Sequence, residues 1–75
     1  MNSRMPTVKA GEVVRVLRKL GFLKLRQKGA HICFKHNDGR FTLVPNHAGE
    51  DIGRGLLRQI LKEAEISPKE FLERL

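Results

Sequence analysis

All three histidines and the only cysteine of this 75-residue chain fall inside one stretch, KGAHICFKHNDGRFTLVPNH, residues 28–47. His31 carries the most chemistry. An imidazole changes charge near neutral pH, and this one is surrounded in sequence by Lys24, Arg26, Lys28 and Lys35. A titrating base among cations has the groups that general acid–base work on a phosphodiester needs. Gly29, two positions earlier, permits an unusual dihedral or a close backbone approach by a ligand. The plainer alternative is a surface histidine without a task. Zinc is not expected from His31, Cys33, His36 and His47: paired CxxC or HxxxH spacings are absent, and on a strand His36 projects away from His31 and Cys33. Cys33 reads as a small side chain tolerated in a strand, His36 as a solvated turn residue, and His47 as part of a loop that can return to the face of His31. Further on, Arg54, Arg58 and Lys62 recur at i, i+4 and i+8, either a phosphate ladder or a solvated helix face. Gly53-Arg54-Gly55 offers bare N–H groups at a helix start, which also favours an anion.

These residues must be positioned by a small number of elements. In GEVVRVLRKLGF, Val13, Val16, Leu17 and Leu20 form one stripe of an amphipathic helix, with Gly21 placed to end it. The period then changes to two. In LKLRQK, Leu23 and Leu25 alternate with Lys24 and Arg26. In AHICFKH, Ala30, Ile32 and Phe34 share one face and His31, Cys33 and Lys35 the other. Asn37-Asp38-Gly39 signals a hairpin, and RFTLVP is a third strand ended by Pro45. Leu56, Leu57, Ile60, Leu61 and Ala64 mark a second helix. Ser67-Pro68 with Glu70 then opens a short C-terminal one. The expected fold class is α+β, in the order α-β-β-β-α. A three-stranded antiparallel sheet carries two helices on one face, and its other face, the His31 face, stays open. The whole chain, 1–75, reads as a single domain.

Charge narrows the partners. Fifteen Lys and Arg against eight Asp and Glu give a formal +7. The excess is confined to residues 1–60, with twelve basic and four acidic side chains. Such a field suits a polyanion, nucleic acid above all, over and above what solubility asks. With four Phe and neither Trp nor Tyr, backbone and shape recognition is expected rather than base stacking. One cysteine excludes an internal disulfide, and the polar start MNSRMPTVKAG is no secretion signal. No apolar run approaches the roughly 20 residues of a membrane span. The expectation is a soluble cytoplasmic protein.

The run GFLKLRQKGAHICFKHNDGRFTLVPNHAGEDIGRGLLRQILKEAEIS, with the helix before it, resembles the HicA toxin family of prokaryotic toxin–antitoxin modules. The ordered features are Gly21-Phe22, Gly29-x-His31, Asp38-Gly39, Val44-Pro45-x-His47 and Gly55-x-Leu57-x-x-Ile60-Leu61. The resemblance implies a double-stranded-RNA-binding-domain-like fold and ribosome-independent cleavage of mRNA, with no metal or other cofactor. It also implies His31 as the catalytic residue and a HicB-type antitoxin that covers the same surface. His31 would act as general base on a ribose 2′-hydroxyl, with Lys28 and Lys35 stabilising the transition state. His47, water or a lysine would be the general acid. Lys24, Arg26, Lys28, Gly29, Lys35, His47, Arg54 and Arg58 are the expected RNA contacts. Two departures stand out. Ala30 replaces the usual Ser, and His47-Ala48-Gly49 stands where His-Gly-Gly is common. Residue 30 is expected to point away from His31, so a slower reaction is expected, not a lost one. The rival readings are a non-catalytic RNA-binding module of the same fold and an interaction subunit whose basic face docks an acidic antitoxin.

Overall fold

The structure, a computed structural model, describes residues 6–47 and 49–75. The first five residues and Ala48, the centre of the His47-Ala48-Gly49 departure, lie outside the described residues. The elements run β1 (Val8–Lys9), α1 (Ala10–Lys19), β2 (Leu23–Lys28), β3 (His31–Lys35), β4 (Phe41–Pro45), β5 (Asp51–Ile52), α2 (Arg54–Ala64) and α3 (Pro68–Arg74). The α+β order α-β-β-β-α is as expected, with a three-stranded antiparallel sheet in the order β2-β3-β4.

Helix α1 begins where the Glu12 carboxylate accepts the Lys9 N–H at 2.9 Å, and it ends at Gly21. There the φ of +95° lets Gly21 N–H and Phe22 N–H reach back to the carbonyls of Arg18 and Leu17, a paired C-terminal closure that favours glycine. Helix α2 ends in the same way on Glu65, at φ 57°. Ser67 Oγ accepts the Glu70 N–H at 3.0 Å and starts α3.

The core lies on one side of the sheet. Val13, Val16 and Leu17 of α1 and Leu57, Ile60, Leu61 and Ala64 of α2 are buried with Phe22, Ile32, Phe34, Val44 and Phe71. Each large apolar side chain there contributes roughly 1.5–3 kcal/mol relative to exposure. Burial therefore holds the fold from the helix side and leaves the opposite face available. Among the described residues one polar side chain enters this core: Thr42 is fully buried and donates its hydroxyl to Glu63 Oε1 at 2.7 Å.

Two features went unexpected. The strands β1 and β5 pair with each other, Val8 against Ile52, closed by a Lys9–Asp51 ion pair of 2.8 Å. The register of β2 against β3 also slips at Leu25, so that Lys24 opposes Phe34 while Arg26 opposes Cys33. A bulge of this kind puts two residues of one strand against one of the other and re-aims the side chains beyond it. Strict alternation would have put Lys24 and Arg26 on one face; the bulge separates them.

Candidate active site

Cross-strand partners share a face, so the registers define the open surface rung by rung. Lys28, His31 and Pro45 form the first rung, Arg26, Cys33 and Leu43 the second, and Leu23, Lys35 and Phe41 the third. The turn between β2 and β3 contains only Gly29 and Ala30, with φ of +59° at Gly29. Glycine at the first central position suits a two-residue hairpin. The turn is braced from the far side: Lys24 Nζ donates to Gln27 Oε1 at 3.0 Å, and Gln27 Nε2 donates to the Gly29 carbonyl at 3.0 Å.

The chain leaving β4 returns to this turn. Pro45 ends an edge strand, where its missing N–H removes no ladder bond, and the Asn46 N–H donates to the Ala30 carbonyl at 2.6 Å. That bond sets His47 beside His31. The two rings lie 6.4 Å apart, centroid to centroid, at 84°. Both imidazoles are exposed and line one open cleft of about 790 Å³. Arg26, Lys28, Gly29 and Ala30 form its rim, and Cys33, Phe41 and Leu43 its apolar floor.

The charge around the cleft is one-sided. No side-chain hydrogen bond or ion pair ties Arg26, Lys28 or Lys35 to another described residue, nor does one tie His31 or His47. Four of the carboxylates are engaged elsewhere. Asp38 pairs with Arg40, Asp51 with Lys9 and Glu70 with Arg74, while Glu63 accepts from Thr42. None of them lines the cleft. On the outer flank of β4, Glu63 and Gln59 border a smaller hollow that also reaches His31, and Glu50 and Asp51 border one that reaches His47. The charged side chains that line the cleft itself are Arg26 and Lys28, beside the two imidazoles.

Several expected contacts sit elsewhere. Lys24 lies on the helix side of β2, opposite Phe34, and braces the turn instead of flanking His31. Lys35 shares the open face but sits two rungs from His31, outside the cleft wall. Arg54 and Arg58 are exposed on α2 and belong to neither hollow that contains His31. Ala30, expected on the strand face opposite His31, belongs to the turn and borders the same cleft. Cys33 does share the face of His31, but it is buried beneath its neighbours.

His36 is no solvated turn residue. Its ring meets Phe22 edge-on at 5.2 Å and accepts the Asp38 N–H on Nδ1 at 3.1 Å. A Cβ added to Gly21 would stand 2.9 Å from His36 Nε2. Arg40 completes this corner. It stacks over Phe22 and donates to the Ala64 carbonyl at the end of α2 at 2.7 Å. The Arg40 N–H, then its guanidinium and the nearby His36, hold the Asp38 carboxyl below the ordinary carboxylate range. This far end of the sheet is architecture.

Sequence reasoning did not single out Phe41, which lies on the cleft wall. Phe22, Phe34 and Phe71 are fully buried, whereas Phe41 is 42% exposed and lies in the His31 cleft. The signal was present in its alternation with Thr42 and Val44, but only the placement of the helices decides which of the two faces is covered.

No helix among the described residues is long and apolar enough to cross a membrane. None of the curated proteins compared with the chain matches it. One family model does, that described as the HicA toxin of bacterial toxin–antitoxin systems, over residues 10–66. That match runs from the first residue of α1 to two residues past α2 and takes in the whole of the cleft, and by it the chain belongs to the HicA toxin family.

Proposed function

We propose that this toxin is a metal-independent, ribosome-independent endoribonuclease that cleaves mRNA on the open face of its sheet. His31 takes the proton from a ribose 2′-hydroxyl, and the freed oxygen attacks the adjacent phosphorus. The bond from phosphorus to the 5′-oxygen breaks in line, and His47 gives that oxygen its proton. The products are a 2′,3′-cyclic phosphate and a 5′-hydroxyl. Lys28 and Arg26, on the rim, meet the charge that builds on the phosphoryl oxygens, where fixed cations are most effective. The observation that carries this reading is the His31–His47 pair: two unengaged imidazoles 6.4 Å apart in a cleft rimmed by unpaired cations. Acid and base must each come within about 2.6–3.2 Å of its proton partner, and one phosphodiester seated over both rings meets that requirement.

Membership of the family implies a cognate antitoxin. In this reading it is of the HicB type and silences the toxin by covering the cleft, with acidic groups set against Arg26 and Lys28. The test is incubation of wild type and His31→Ala with a single-stranded RNA in the presence of a chelator, with the product ends identified. Cyclic-phosphate ends from wild type and none from the variant are expected. Equal cleavage by both would remove the assignment. Tight binding without cleavage by wild type would favour a non-catalytic RNA-binding module.

A further inference from the structure

Of the four phenylalanines in the chain, three close the core and one does not. Phe41 stands on the same face as His31, and it is the one aromatic side chain other than the two histidines on the cleft wall. The core packs on the far side of the sheet, and Phe41 is not part of it. Beside Phe41 on β4, Leu43 is 43% exposed, and its cross-strand neighbour Cys33 continues the floor toward β2. The result is a flat apolar shelf bordered on one side by Arg26 and leading on the other to Lys28, His31 and His47.

Rungs on one face of a strand recur every two residues, roughly 6–7 Å, so Leu43 lies one rung from His31 and Phe41 two. A phosphate held between Lys28 and His31 leaves the shelf at Leu43 and Phe41, one and two rungs away, open to a base splayed from an adjoining nucleotide. An unstacked base from a single strand is what such a ring accepts, since every base offers a π-face and sheet aromatics are a common seat for them. The unpaired cations along the same cleft argue for a polyanionic occupant over a protein side chain. The other exposed large apolar residues among the described ones, Leu23, Leu25, Leu56, Leu72 and Leu75, carry no ring and lie outside this cleft.

We propose that Phe41, with Leu43 beside it, is the platform on which one base flanking the scissile phosphate stacks, so that the toxin requires an unpaired nucleotide at that position. The inference rests on the endoribonuclease reading and adds a positioning role for a residue outside the acid–base pair. It departs from the expectation that base stacking plays no main part.

The test uses the wild-type chain and the variants Phe41→Ala, Phe41→Leu and Phe41→Trp on a short labelled RNA containing one mapped cleavage point. The same RNA is then made with an abasic residue on either side of that point in turn. Phe41→Ala and Phe41→Leu should each lower kcat/KM about 5- to 150-fold, the range for loss of one base–aromatic stack, and Phe41→Trp should keep it. One of the two abasic substrates should cost wild type a similar factor and cost Phe41→Ala almost nothing further, because the contact is already gone. Wild-type cleavage by Phe41→Ala and Phe41→Leu, or losses that multiply on the abasic substrate, would overturn the proposal. So would an effect of Phe41→Ala confined to antitoxin affinity, which would assign the shelf to a protein partner. A wild-type chain that cleaves no RNA sinks the endoribonuclease reading and this one together; wild-type activity with indifferent Phe41 variants sinks only this one.

Discussion

His47→Gln separates the roles of the two imidazoles. The side chain is exposed and sits just after the Asn46–Ala30 backbone bond, which the substitution leaves in place. The fold should therefore change by no more than about 0.5 kcal/mol, as at an ordinary surface site. Catalysis should change far more. A positioned acid or base contributes about 10²–10⁴-fold, equivalent to roughly 2.7–5.4 kcal/mol of barrier at 1.36 kcal/mol per decade. The lower end is expected here, because the cleft is open and water can supply a proton in place of His47. The decisive assay replaces the bridging 5′-oxygen of the substrate with sulfur. A thiol of pKa near 8.5 leaves as its anion without help, whereas an alkoxide does not. His47→Gln should then be about 100-fold slow on the oxygen substrate and near wild type on the sulfur one, while His31→Ala is slow on both. Equal losses by His47→Gln on the two substrates would show that His47 positions RNA and does not deliver the proton. No loss on either would remove it from the site.

Arg26→Ala or Lys28→Ala should weaken RNA binding for all sequences and flatten the dependence of log K on log salt by about 0.7 per lost phosphate contact; Lys24→Ala, on the helix side, should flatten it less, and filter binding across a salt series reads this. Gly21→Ala should destabilise the chain by about 1–2 kcal/mol through its left-handed backbone alone, with more from the contact at His36. Thermal melts should show that His36→Ala relieves only the second part. The Asp38 carboxyl is held below its ordinary range by Arg40, so its contribution is complete above the unfolded carboxylate range and is lost as pH falls through the folded value. Asp38→Asn should accordingly narrow the difference in Tm between pH 7 and pH 3.

Most of the fold could be read along the chain because its long elements carry their own periods. Val13, Val16 and Leu17 and the Leu57–Ala64 stripe mark the helices. The alternation through Ile32 and Phe34, the two turns and Gly21 set the meander. What stayed hidden depends on contacts between distant segments. The pairing of β1 with β5 joins two residues on each side across more than half the chain, too short for any period to register. The bulge at Leu25 comes from the fit of β2 onto β3, which one strand's alternation cannot reveal, and it moved Lys24 off the His31 face. Thr42 is polar and yet buried, because Glu63, 21 positions away, gives its hydroxyl a partner and makes burial tolerable.

The site was legible in part for the same reason. His31 announced itself through the glycine before it and the cations around it. His47 reached its place only through the bond from Asn46 to Ala30, a closure that local sequence does not encode. His36, beside a turn, was drawn inward by Phe22 and the space above Gly21.

The most direct measurement is the rate of RNA cleavage by His31→Ala against wild type, in chelator, with RNA affinity determined in parallel. Cleavage should fall by at least about 100-fold while affinity stays within a few-fold, since the unpaired cations hold the substrate without the imidazole. Cleavage that persists at the wild-type rate, with the same ends, would contradict the account.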